Sequence, residues 1–251
     1  MALMGEEPCL GQGGLIWEIP IRIYQAIKVR VFGPYWRELM KCCQCQGIES
    51  QFNAKLAAKE LNSYRRRGPR KGTRMLIEAL GAEGIKGMTL LDIGGGVGAI
   101  QHELLSAGVS SATNVEASLA YMEATKEEAQ RRGHGDRVSY RDGDFVDLAP
   151  DIEPADIVTL DLVICCYHDM EALVGLSSQR ARKLYGFVYP RDTWWMKVVF
   201  AVGNFYFWAR RRSFRAFLHP TQAIDAVLRR NGFQQRFYRK TKFLQVVVYA
   251  R

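Results

Sequence analysis

Leu90-Leu91-Asp92-Ile93-Gly94-Gly95-Gly96-Val97-Gly98 is the stretch that decides the fold of this chain. An apolar run ends in glycines, and Ala99 to Ala107 continues with helical character. The pattern reads as a strand, a tight turn and a helix. Glycines let the backbone bend sharply and let a ligand approach with no Cβ in the way. The helix start behind the turn offers unpaired N–H groups and the positive end of a dipole. Asp92 precedes the glycines in an Asp-x-Gly-x-Gly-x-Gly spacing, and no lysine follows as it would in a P-loop.

Outward from this turn, strands and helices alternate. Met88 to Ile93, Ser111 to Glu116, Val138 to Arg141, Asp156 to Leu160 and Leu184 to Tyr189 read as strands. Leu119 to Arg132, Glu171 to Lys183 and Thr221 to Arg230 read as helices, with Phe52 to Arg67 and Lys71 to Leu80 ahead of the turn. Phe233 to Tyr238 and Phe243 to Tyr249 are two further strands joined by only Arg239 to Lys242, which predicts an antiparallel hairpin. The expected fold is therefore α/β: a doubly wound, mostly parallel, seven-stranded, Rossmann-like sheet with a C-terminal antiparallel hairpin. Residues 1–47 are expected to form an N-terminal helical appendage, residues 48–251 the main domain, and residues 190–218 a lid insertion.

Composition bounds the alternatives. The 251 residues, 48% apolar and 24% charged, suit one globular domain with an appendage. The net charge of +9 favours anionic partners, although each basic cluster taken alone also suits a solvated face. Six cysteines, with Cys42-Cys43 and Cys165-Cys166 adjacent, fit a disulfide framework poorly. The acidic start at Glu6-Glu7 is not a signal peptide, so reduced thiols and a cytoplasmic protein are expected. Cys42-Cys43-Gln44-Cys45 lacks the spacing of a zinc site, and no metal is expected. Lys197 and Asn204 interrupt the longest apolar run, Trp194 to Ala209, which falls short of the ~20 residues that span a bilayer. Leu15 to Met40 reads either as a basic amphipathic helix resting on the cytoplasmic face of a membrane or as a helix packed on the domain or a partner subunit.

Two acidic positions follow the glycine turn in order. Glu116 ends the next strand, where a carboxylate accepts from both hydroxyls of a ribose. Nicotinamide-dependent enzymes place an acid in the same way, and Ala99 satisfies the tolerant form of their glycine motif, so an oxidoreductase remains open at this point. The third strand leads into Gly143-Asp144-Phe145. Asp144 suits an adenine amino group and Phe145 suits the ring face; the plain alternative is a surface turn.

These segments, together with Asp156-Ile157-Val158-Thr159-Leu160-Asp161, resemble the class I S-adenosylmethionine-dependent methyltransferases over roughly residues 55–251. Within the class the chain is similar to small-molecule enzymes, some of them akin to magnesium-protoporphyrin methyltransferase. The resemblance implies S-adenosylmethionine as cofactor. By position, Asp92 with Gly94, Gly95, Gly96 and Gly98 would cradle its methionine portion. Glu116, with Ala117 beside it, would hold the ribose, and Asp144 with Phe145 the adenine. Tyr64 would close over the cofactor. Asp161, at the tip of the fourth strand, is a candidate on the cofactor side and the catalytic side.

The acceptor is expected beyond Asp161, along Leu162 to Asp169. Tyr167 and His168 are the candidate catalytic groups, since an imidazole takes up a proton near neutral pH; otherwise His168 merely opens the next helix. Cys165 and Cys166 read as buried small apolar residues. The aromatic run Trp194 to Trp208, rimmed by Arg191 and Arg210 to Arg215, is expected to cap a hydrophobic, anionic small-molecule acceptor or to face a lipid surface, or else to extend the core. A nucleic-acid methyltransferase is disfavoured, because no RNA-binding module and no Asn-Pro-Pro-Tyr type segment is present. A non-catalytic cofactor-binding subunit is disfavoured by the intact acidic series. The oligomeric state is not legible.

Overall fold

The structure, a computed structural model, describes residues 43–251. The appendage expected over residues 1–47, including the basic stretch Leu15 to Met40, lies outside the described residues but for its last five positions. So does Cys42, with the side chains of Cys43 and Cys45.

The apolar run before the glycines forms β1 (Thr89–Ile93). It pairs in parallel with β2 (Ser111–Glu116) on one side and β4 (Ala155–Asp161) on the other, with Asp92 opposite both Asn114 and Thr159. A strand with neighbours at both edges and helices on both faces has no solvated side, which is why Leu90, Leu91 and Ile93 follow one another without alternation. β3 (Val138–Asp142) continues the sheet beyond β2, and β5 (Ala181–Pro190) continues it beyond β4, both in parallel. β6 (Gln234–Lys240) and β7 (Leu244–Ala250) pair antiparallel, and β7 pairs antiparallel with β5. The order is β3-β2-β1-β4-β5-β7-β6. The hairpin forms as the short connection predicts, with the last strand inside and β6 at the edge. Arg236, Arg239 and Lys240 keep that edge charged and exposed, which discourages pairing with another chain.

Helices cover both faces. α1 (Cys43–Gln51) precedes α2 (Ala54–Arg67) and α3 (Lys71–Gly81). The helix expected from Phe52 to Arg67 starts at Ala54, because Asn53 is extended and its side chain accepts the Leu56 N–H at 3.2 Å as an N-cap. α4 (Ala99–Ser106) follows the glycine turn and α5 (Leu119–Arg131) follows β2. On one face Leu76, Leu80, Leu90, Leu104, Ile157 and Val246 form a buried cluster. On the other, Leu91, Val158, Leu160, Tyr185 and Phe187 meet α7 (Met170–Gln179) and α9 (Thr221–Arg230). The short α6 (Phe145–Leu148) lies between β3 and β4.

The boundary between α7 and β5 also differs from the pattern reading. α7 stops at Gln179 rather than Lys183, because Ala181 is already paired with Ala155 in the parallel register of β5. No glycine marks that end. The lid segment holds α8 (Trp194–Ala209), then a strap without regular structure to α9. Among the described residues no helix is long and apolar enough to cross a membrane.

Candidate active site

The order of strands in the sheet reverses between the parallel neighbours β1 and β4, so the loops after these two strands part and leave a crevice at their carboxyl ends. A cavity of about 400 Å³ lies there, lined mostly by apolar groups. That volume lies within the range of small-molecule sites.

The glycine turn forms one wall. Gly94 has φ +60°, and a Cβ there would fall 2.5 Å from Val163 Cγ2 across the crevice. Any side chain would therefore strain the turn and close the cavity at the tip of β1. Asp92 sits beneath this wall, not in it. It is fully buried and does not line the cavity. Its Oδ1 accepts the Thr159 hydroxyl at 2.7 Å, and burial pushes its carboxyl up to about 7. A Cβ on Gly95 would come within 2.7 Å of Asp92 Oδ2 and 2.4 Å of Asn114 Nδ2, so the turn rests directly on these two side chains. The expectation that Asp92 itself cradles a ligand gives way to a supporting position, set by strand alternation: Ile93 points to the cavity and Asp92 away from it. Gly98 likewise lies behind the wall, packed on Thr125 and His102.

Glu116 and Ala117 stand at the tip of β2 and line the cavity. Glu116 Oε2 accepts the Gly96 N–H at 3.1 Å and Oε1 accepts the Ser118 N–H at 3.0 Å, which ties the turn to β2. Burial raises this carboxyl to about 7 against the opposing pull of those donors. Asp144 caps α6 by accepting the Val146 N–H at 2.9 Å, and the Tyr167 hydroxyl donates to its carboxylate at 2.9 and 3.1 Å. Phe145 is buried beside it. At the tip of β4, Asp161 Oδ2 accepts the Thr73 hydroxyl at 2.5 Å, while its Oδ1 is buried with no hydrogen-bond partner among the described residues. Burial pushes the Asp161 carboxyl up, and the Arg70 charge pulls it back. Leu162, next in the chain, has φ +61°, a strained value for a branched side chain. Its N–H donates to Val188 C=O at 3.0 Å, so β5 holds the distortion in place and keeps Leu162 on the cavity wall.

Residues 91–179, which span the glycine turn, Glu116, Asp144 and Asp161, match the family model described as a methyltransferase domain. That segment carries a methyltransferase domain. S-adenosylmethionine is its methyl donor, and the chain is a methyltransferase. No curated protein matches the sequence. Among solved structures, the domain is similar to magnesium protoporphyrin IX methyltransferase from Synechocystis PCC 6803 with bound SAH, at 18% identity and a TM-score of 0.62, over 81% of this chain and 98% of that one. It is also similar to an O-methyltransferase family protein from Burkholderia thailandensis, at 16% identity and TM-score 0.61, over 81% of this chain and 62% of the other. An O-methyltransferase family 2 protein from Planctomyces limnophilus, in complex with apigenin, follows at 12% identity and TM-score 0.53, over 73% and 62% of the two chains. At these identities the likeness is one of fold.

The methyltransferase domain brings together at its cavity Gly94, Gly95, Gly96, Glu116, Ala117, Asp144, Phe145, Asp161, Tyr167 and Tyr64. Tyr64 is fixed rather than free to close: its hydroxyl donates to Glu103 Oε1 at 2.8 Å, the Arg132 guanidinium lies 4.9 Å from the ring centre, and burial with Glu103 raises its pKa. His168 stays outside the cavity. It is exposed and turned toward a separate shallow groove with His219, stacked on Tyr167 at 5.6 Å. Asp169 caps α7 through the Ala172 N–H at 2.9 Å, and the chain turn it enforces carries His168 outward. A proton-accepting role for His168 therefore has no geometric support. No residue from 190 to 218 lines the cavity either, so the aromatic run is not its cap. Arg191 donates to the backbone carbonyls of Thr241 and Lys242 at 3.4 and 3.5 Å, away from the site.

Pattern reasoning missed the helical side of the cavity. Phe52, Glu60, Arg70 and Thr73, from α2, α3 and the turns around them, all line it, and Arg70 pairs with Glu60. Their spacing is ordinary for amphipathic helices. Only docking of α2 and α3 over the strand tips gives them a place in the site.

Proposed function

We propose that this enzyme moves the methyl group of S-adenosylmethionine to an oxygen or sulfur nucleophile of a small, largely apolar acceptor bearing an acidic group. The observation that carries this reading is the placement of Glu116, Asp144 and Asp161 at the strand ends around one largely apolar cavity, with the bare backbone of Gly94 to Gly96 forming part of its wall. The residues fit the donor. Glu116 offers ionisable oxygens at the tip of β2 for two ribose hydroxyls, and Asp144 with Phe145 offers an acceptor and a ring face for adenine. The turn leaves room for the methionine portion, because no Cβ fills it at Gly94.

When bound, S-adenosylmethionine supplies a methyl group on a sulfonium, an already activated leaving group. The chain's own residues then need only align the acceptor and receive its proton. Asp161 Oδ1 suits the second task, since it is unpartnered, buried, and made more basic by burial. Thr73 holds the other oxygen and fixes the orientation of the carboxyl. Ile48, Phe52, Leu162, Val163 and Cys165 give the acceptor side its apolar walls and exclude water. Arg70 is the sole cation among the lining residues and is paired with Glu60; an acceptor carboxylate would have to share or replace that partner. The similar proteins, a magnesium protoporphyrin IX methyltransferase and an O-methyltransferase family 2 protein in complex with apigenin, are in keeping with an apolar acceptor.

The test is methyl transfer from methyl-labelled S-adenosylmethionine to a panel of thiols, phenols and porphyrin carboxylates, with Asp161→Asn alongside. Labelled product from an apolar acid, lost in the variant while S-adenosylhomocysteine still binds, is the expected result. Labelling of RNA instead, insensitive to Asp161→Asn, would overturn the acceptor assignment.

A further inference from the structure

α8 is apolar on nearly every side, yet only Met196 of its residues is buried. Its inner stripe settles on the domain. Phe200 packs against the core, Phe207 meets Phe214 at 5.3 Å, and Asn204 exchanges hydrogen bonds of 2.7 and 2.9 Å with the backbone of Ala216. The opposite stripe, Trp194, Val198, Val202, Phe205 and Trp208, recurs at helical spacing with nothing over it among the described residues. Trp194 is 77% exposed, Phe205 65% and Trp208 64%. Such a row of large apolar side chains marks a surface that meets another phase or molecule.

The charges around the stripe identify which. No acidic residue occurs between Asp192 and Asp225, while Lys197, Arg210, Arg211, Arg212 and Arg215 fall in that interval. The turn between β6 and β7 adds Lys242 and Phe243, with Phe243 edge-on to Trp195 at 5.6 Å. Tryptophans at both ends of an apolar face with arginines at its margin fit the boundary between headgroups and acyl chains. At ~1.5 Å per residue the 16 residues reach about 24 Å, less than a hydrocarbon core, so the helix suits lying flat and not crossing.

We infer that α8 docks in the plane of an anionic phospholipid bilayer, with the Trp194–Trp208 stripe in the lipid and Arg210 to Arg212 on the headgroups. The strap after α8 returns directly to the cavity wall: Phe217 N–H donates to Cys165 C=O at 2.7 Å, and His219 Nε2 lies 2.7 Å from the Tyr167 carbonyl oxygen. Docking thus holds that wall near the bilayer surface. The inference stands apart from the methyl-transfer reading, since no residue of α8 or of the strap after it lines the cavity.

The experiment is co-sedimentation of the full chain with phosphatidylcholine vesicles made with and without phosphatidylserine. Binding to the anionic vesicles is expected to exceed binding to the neutral ones at least tenfold and to fall with added salt. Phe205→Asp/Trp208→Asp and Arg210→Gln/Arg211→Gln/Arg212→Gln should each lower the partition coefficient about tenfold or more, with S-adenosylhomocysteine affinity unchanged as the check on folding. Equal sedimentation of parent and both variants, or no sedimentation of the parent, would overturn the assignment. So would a parent dimer in ultracentrifugation that Phe205→Asp/Trp208→Asp converts to monomer, because the stripe would then belong to a second copy.

Discussion

Glu116→Gln removes one negative charge from the cavity and leaves its shape almost intact. The consequence for cofactor binding depends on pH. Burial holds the Glu116 carboxyl near 7, so roughly half of the cofactor-free protein is protonated there at neutral pH. Only the ionised form accepts from two ribose hydroxyls at once. From pH 8 to pH 6 the ionised fraction falls from about nine tenths to about one tenth, which weakens S-adenosylhomocysteine binding roughly tenfold, or about 1.4 kcal/mol. The Gln variant loses a charge-assisted hydrogen bond worth about 1.5–3 kcal/mol, so at pH 8 it should bind roughly ten- to a hundredfold more weakly. Its affinity should then vary less between pH 6 and pH 8 than that of the parent. Stability carries the opposite sign. Because the folded carboxyl binds its proton more tightly than the unfolded one, its contribution to stability declines as pH rises from the ordinary value of 4.5 through about 7, and the substitution removes that slope. Calorimetric titration across this pH range is the assay. Parallel pH profiles for parent and variant, or equal affinities at pH 8, would refute the assignment of Glu116 to the ribose.

Other outcomes follow from single contacts. Gly95→Ala pushes a methyl group against Asn114 Nδ2 and Asp92 Oδ2, so the turn must move; cofactor affinity should drop more than about tenfold, with an unchanged far-ultraviolet circular dichroism spectrum. Tyr167→Phe removes the phenol that donates to Asp144 and should weaken cofactor binding about fivefold, near 1 kcal/mol, with little change in denaturation midpoint. Glu128 is held by Arg65, Arg131 and Arg132, which join α2 to α5, and these partners pull its carboxyl well below the usual range. Glu128→Ala should cost about 2 kcal/mol in urea unfolding, less than a fully buried pair because the arginines reach solvent. That stabilisation is present above the ordinary glutamate range and is lost as pH falls below it.

The parts of the site legible in the sequence are those that one strand end supplies by itself. The glycine turn, Glu116 and Gly143-Asp144-Phe145 each follow a parallel strand, and the crossover rule puts all strand ends on one edge of the sheet. Side-chain direction was harder. Asp92 was expected in the wall and lies under it, because the strand's alternation turns it toward Thr159 and Asn114. Tyr167 and His168 are neighbours in sequence, yet only Tyr167 reaches the cavity. Arg70, Thr73 and Glu60 were invisible because helical periodicity says which face is buried, not what it covers. The composition of the aromatic run left a cap, a lipid-facing surface and an extension of the core all open; its outer stripe is exposed and no residue of it lines the cavity.

The central claim is that the donor lies across the tips of β1, β2 and β4, and a crystal structure of the protein with S-adenosylhomocysteine tests it most directly. The account predicts ribose hydroxyls on the Glu116 carboxylate, adenine between Asp144 and Phe145, and the sulfur beside the Gly94 to Gly96 backbone. Density for the ligand elsewhere, or a crevice that stays closed at saturating ligand, would contradict it.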